Sequence, residues 1–78
     1  MRYSIMHVEK EEDGIIDGSW IQDHHGDIDS AIEKKNTIQN ANSSKLLDGS
    51  QMQFAVVEWL GNNGGPWYGI KKGLKKLA

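Results

Sequence analysis

The chain contains no cysteine, which excludes a disulfide framework, a thiolate metal site and a cysteine nucleophile. It also lacks any apolar run near the roughly 18 residues needed to span a bilayer. The N-terminus has no basic stretch followed by an apolar one, so no secretory signal is expected and the reading is cytoplasmic, with no membrane partner. Acidic residues are missing altogether from residues 61–78, which hold four lysines, whereas residues 1–60 carry five basic and eleven acidic side chains. The overall charge of −2 is therefore a cancellation between an acidic body at −6 and a basic tail at +4. With 78 residues there is room for one domain, and such a chain buries only about 60% of the surface its unfolded form exposes. Its 37% hydrophobic content is ordinary for a folded domain and argues against disorder.

Tyr3 to Glu9 alternate as a strand, with Tyr3, Ile5 and His7 on one face and Ser4, Met6 and Val8 on the other. The run Glu9 to Asp13 breaks that alternation. Asp13-Gly14 and Asp17-Gly18 are both hairpin-turn signals, because these residues tolerate positive φ, so the hairpin has two possible tips. Ser19 to Asp23 reads as the second strand. Ile28, Ala31, Ile32, Ile38 and Ala41 form one helical stripe. Asp27 and Asp29 stand where N-caps and first-turn anions belong, and Asn42-Ser43-Ser44 ends the helix. A turn follows at Asp48-Gly49-Ser50, then the clearest strand, Met52 to Trp59, apolar on both faces and so central. Strands two and three, joined through the helix, are expected to run parallel. In the tail, Trp67, Ile70, Leu74 and Leu77 recur at helical spacing, with Lys71, Lys72, Lys75 and Lys76 on the opposite side. Gly69 and Gly73 each oppose a helix by about 1 kcal/mol, and a strand through Trp67 to Ile70 competes with it.

The fold expected is α+β: a three-stranded sheet in β-β-α-β order, one helix packed on a face, and a short basic C-terminal helix. Residues 1–60 form the α+β core, 61–65 a glycine-rich loop, and 66–78 a basic amphipathic tail.

Four segments are candidates for chemistry. Asp23-His24-His25-Gly26-Asp27-Ile28-Asp29 holds imidazole and carboxylate ligands suited to zinc, manganese or iron. Within it, His24, His25 and Asp27 are weak metal candidates, since adjacent histidines on a strand point to opposite sides. The alternative is a polar turn with a helix cap. Asp23-His24-His25 also resembles the signature of a phosphoesterase superfamily, but the longer chain and further aspartate motifs of that family are absent. The glycine-rich stretch Gly61 to Gly69 lies where phosphate-cradling loops lie, yet it lacks the P-loop ending and the dinucleotide glycine spacing. The lysines at 71, 72, 75 and 76, beside Trp67 and Tyr68, suit phosphates and stacked bases; a solvated helical face is the plainer reading. The acidic run Glu9 to Asp13 reads as protection of a sheet edge. No serine sits in a recognisable nucleophile setting, and Glu58 is placed near a strand end in solvent. The expectation is a protein that is not an enzyme and needs no cofactor.

These readings converge on a small binding or regulatory module acting by protein–protein contact, as a homo-oligomer of bacterial or phage type or with another protein. Trp59, Trp67 and Tyr68, with Lys71, Lys72, Lys75 and Lys76, are its expected contacts, since tryptophan is enriched at interface hot spots. The alternative is a nucleotide or nucleic-acid binder using the same aromatic and lysine-rich segment.

Overall fold

The computed structural model describes residues 2–42, 52–61 and 69–78. Its elements in chain order are β1 (Arg2–Glu12), β2 (Ile15–His25), α1 (Ile28–Ala41), β3 (Gln53–Glu58) and β4 (Ile70–Lys75). The four strands form one curled sheet in the order β3-β1-β2-β4, and every neighbouring pair is antiparallel. The three-stranded sheet with a C-terminal helix is therefore corrected to a four-stranded sheet that, among the described residues, carries a single helix. The expected turn at 48–50, most of the glycine-rich loop, Trp67 and Tyr68 lie outside the described residues.

β1 and β2 meet at a two-residue turn in which Asp13 and Gly14 both have positive φ, 53° and 79°. That is the geometry that matches the twist of the flanking strands. The Asp17-Gly18 pair is not a turn. Gly18 lies inside β2, buried, where a Cβ would stand 2.1 Å from the His7 carbonyl oxygen; only glycine lets the two backbones come this close. β1 also runs further than its apolar alternation, through Glu12. Its exposed acidic half is held by pairing with β2, by the Ser19 hydroxyl donating to Glu9 at 2.9 Å, and by Lys76 donating to Glu11 at 3.1 Å.

Register shifts in the β1–β2 ladder between Ile5 and Met6 and between Val8 and Lys10, and another between Ile16 and Gly18 against β4, mark bulges. Bulges bend strands and sharpen their twist, and they accompany the curl of this sheet. β2 and β3 do run in the same direction, since both are antiparallel to β1, but β1 lies between them, so they form no parallel ladder.

The two faces of β1 and β3 build two cores, as their alternation requires. Met6, Ile16, Ala55 and Val57 pack inside the curl with Val8, Trp20, Leu60 and Leu74. Tyr3 and Val56 meet Ala31, Ile28 and Ile32 of the helix on the other side, joined by Ala78. Each fully buried aliphatic side chain among these contributes about 1.5–3 kcal/mol.

The helix begins at Asp27, whose carboxylate accepts from Ser30 N–H at 2.8 Å, and ends at Asn42, whose own N–H bonds back to Ile38 and Gln39. Near its end Gln39 clips the helix to β3: its amide nitrogen donates to the Met52 carbonyl, and its oxygen accepts from Phe54 N–H at 3.0 Å. The outer edge of β3 is covered again at Val56, which donates to Ala78 O at 2.9 Å and accepts from Leu77 N–H at 2.8 Å. Residues after β4 thus reach across to β3 and draw the sheet towards closure.

The tail is a strand because it pairs with the edge of β2, and Gly73 shows that it is not helical. That residue has φ 71°, which no α-helix contains, and its N–H donates to the Asp17 carboxylate at 2.9 Å. Leu74 points into the inner core opposite Ile16, while Ile70, 59% exposed, lies opposite Ser19. The helical spacing of Trp67, Ile70, Leu74 and Leu77 is thus incidental.

Candidate interaction site at the seam of the sheet

Trp59 follows directly on β3 and remains 37% exposed, yet it is held from two sides. Its indole N–H donates to Asp23 Oδ2 at 3.3 Å, and the Arg2 guanidinium carbon lies 4.1 Å from the ring centroid, a cation–π geometry. Asp23 Oδ1 also accepts from Ser4 Oγ at 2.7 Å and from Trp20 Nε1 at 3.0 Å. Ser4 is fully buried on the inner face of β1, and its oxygen in turn accepts from Leu60 N–H at 3.1 Å. One carboxylate therefore joins β1, β2 and the segment after β3. Burial pushes the Asp23 carboxyl up, but hydrogen bonds from Trp20, Ser4 and Trp59 and the charge of Arg2 outweigh it and hold the group below its ordinary range.

Beside Trp59 the seam between β3 and β4 opens. The hydrogen bonds from β3 to the C-terminal segment are those at Val56. Beyond them lies a cleft of about 260 Å³, walled by residues 57–60 on one side and by Gly73, Leu74 and Lys75 on the other. Val57, Leu60 and Leu74 make its floor continuous with the inner core.

The expected contact residues are dispersed by this arrangement. Trp59 and Lys75 line the cleft. Lys71 and Lys72 precede Gly73 on β4, and Lys76 is engaged with Glu11. The four lysines form no helical face, because their segment is not helical.

The Asp23–Asp29 segment does not assemble a metal centre: among the described residues no group of three or more possible ligands converges. His24 Nε2 meets Ser30 Oγ at 2.9 Å, His25 Nδ1 accepts from Arg2 Nε at 3.4 Å, and Asp27 caps the helix. The bond from Ser30 N–H leads the effects that hold the Asp27 carboxyl below its ordinary value. His24 and Ser30 have the spacing of a base and a nucleophile, but the Ser30 hydroxyl donates to the Asp27 carbonyl at 3.0 Å. The Ser30 hydroxyl thus lies between the His24 ring and the Asp27 carbonyl, and the direction of its bond with His24 is set by the imidazole tautomer. The pair completes the cap.

Sequence reasoning missed Ser4, Arg2 and the acceptor role of Asp23. A signal was present. Ser4 is a polar residue in phase with Met6 and Val8, and an inward-facing hydroxyl needs a partner; Asp23, three residues after Trp20, supplies it.

No known protein family, curated protein or solved structure gives a match to this chain. Among the described residues, no helix is long and apolar enough to cross a membrane.

Proposed function

We propose that the chain is a small non-enzymatic binding module that acts by protein–protein contact, and that the contact is the seam beside Trp59. The partner is a second copy or another protein. The observation that carries this reading is that Trp59 is exposed and yet fixed, between the Asp23 carboxylate and the Arg2 guanidinium, at the rim of an apolar cleft. An indole already ordered in the free protein loses little freedom on binding and offers a large contact area. The seam is bordered by exposed residues, and Ser30 and His24 meet at the helix cap, which favours binding over catalysis. The nucleic-acid reading is weakened by the fold, because Glu11 and the Asp17 carboxylate sit directly against the lysine-bearing strand and oppose a phosphate backbone.

Photo-crosslinking tests this. A photoreactive side chain replaces Glu58, exposed at the mouth of the cleft, and a matched variant carries it in place of Asn40, exposed on the helix. The expected result is a discrete protein adduct from position 58 and none from position 40; a dimer-sized adduct identifies a second copy. Equal labelling from both positions, or adducts to nucleic acid alone, contradicts the reading.

A further inference from the structure

We propose that the seam takes a short extended segment of a partner protein in which aliphatic and acidic side chains alternate. This rests on the reading of the seam as a protein contact and names the chemistry of the partner. Three observations converge on it.

The first is the edge of β3. In an antiparallel strand, backbone groups turn alternately to one side and the other. Phe54 and Val56 turn theirs outward, where Gln39 and the C-terminal segment take them. The same alternation turns the N–H and C=O of Glu58 outward, where no backbone bond from the other described residues reaches them. The edge is taken at Phe54 and Val56, so an extended segment entering the seam gains its main-chain hydrogen bonds at Glu58.

The second is the cleft beneath. Val57, Leu60 and Leu74 offer apolar surface at its floor. A strand on this edge sends every second side chain downward, so those positions call for aliphatic residues.

The third is charge. Lys75 is part of the β4 wall, Lys71 and Lys72 precede it on the same strand, and Arg2 covers Trp59 on the other side. Against them stands Glu58. Asp17 and Asp23 stand near as well, and they keep their charge while accepting from the Gly73 N–H and from Ser4 and the two indoles. These groups number four cations against three carboxylates, with Lys75 the cation in the cleft wall itself, so carboxylates on the side chains that point away from the cleft complement the remaining positive charge.

The test is a titration of the isotope-labelled 78-residue chain with synthetic probes, followed by amide resonances. The first probe is a peptide of alternating valine and glutamate. The second replaces each glutamate by lysine. The third is the first with N-methylated backbone at alternate residues, and the fourth is an oligothymidylate. The expected result is saturable movement of the Glu58, Trp59 and Lys75 amides with the first probe alone. Lys75→Glu, at an exposed position near the end of β4, weakens that binding about tenfold at low salt, with the difference shrinking as salt rises. Unchanged thermal unfolding of this variant shows that its fold is intact. Equal binding of the lysine peptide, indifference to N-methylation, response only to the oligonucleotide, or absence of binding by the acidic peptide overturns the inference. A protein adduct from position 58 without response to the acidic peptide removes this inference and leaves the contact reading; failure of both experiments removes both.

Discussion

Asp23 shows how far one side chain organises this small domain. It accepts from Ser4, Trp20 and Trp59, so its removal takes this acceptor from a buried hydroxyl and from two indole N–H groups. Asp23→Ala is expected to cost about 2 kcal/mol, measured by denaturant unfolding. The charge has a pH signature of definite sign. The folded-state carboxyl lies below the unfolded value of 3.8, so on acidification the unfolded chain takes up its proton first. The stabilisation is complete above that value and is lost as the pH falls through the lower, folded value. The gap in melting temperature between the wild type and Asp23→Asn should therefore be full at about pH 6 and narrower by about pH 3. A gap independent of pH would show that the charge contributes nothing. Gly18 is the second position where one atom decides. A Cβ there stands 2.1 Å from the His7 carbonyl, and Gly18→Ala is expected to cost at least about 3 kcal/mol or to abolish the fold. Retention of wild-type stability would mean the strands do not approach as described. Neither role follows from composition. The close approach at Gly18 depends on the register of two strands, and Asp23 in isolation looks like any loop carboxylate or possible ligand.

At the scale of elements, the first hairpin, the helix and a strand apolar on both faces were legible from local pattern. The choice of Asp13-Gly14 over Asp17-Gly18 was not. The strand expected to be central is the end strand β3, its outer edge met by Gln39 and the C-terminal residues instead of a further strand. The C-terminal segment was not legible either. Trp67, Ile70, Leu74 and Leu77 carry a helical period, and the competing information lies elsewhere in the chain: the free edge of β2 and the Asp17 carboxylate that receives Gly73 N–H. Tertiary pairing overrides periodicity here. Gly73→Ala places a side chain at φ 71°, although the space around it is open. It is expected to cost about 1–2 kcal/mol, seen as a fall in melting temperature of several degrees, whereas a helical tail would gain stability from the same change. Removal of residues 66–78 takes away a strand and the groups that bond to Val56, so it should abolish cooperative unfolding. Lys76→Ala, by contrast, breaks an exposed ion pair with Glu11 and should cost no more than about 0.5 kcal/mol.

For the whole molecule, the division between an acidic body and a basic tail acquires a location. The tail lies as β4 beside the acidic hairpin, with Lys76 on Glu11 and Gly73 N–H on Asp17, so part of the opposite charge is matched within the chain. Lys75 stands in the wall of the seam, Lys71 and Lys72 precede it on the same strand, and Arg2 lies over Trp59 with its charge acting on Asp23. The site was half legible. Trp59 and Lys75 were identifiable by residue type, but their meeting across a cleft depends on the tail being a strand that returns to β3. That return is the central claim, and nuclear Overhauser contacts measured on the labelled chain test it most directly. Cross-strand contacts from Val56 to Leu77 and Ala78, with slow exchange of the Val56 and Lys76 amides, are the predicted result. Sequential helical contacts through Ile70 to Leu77, with a rapidly exchanging Val56 amide, would contradict it.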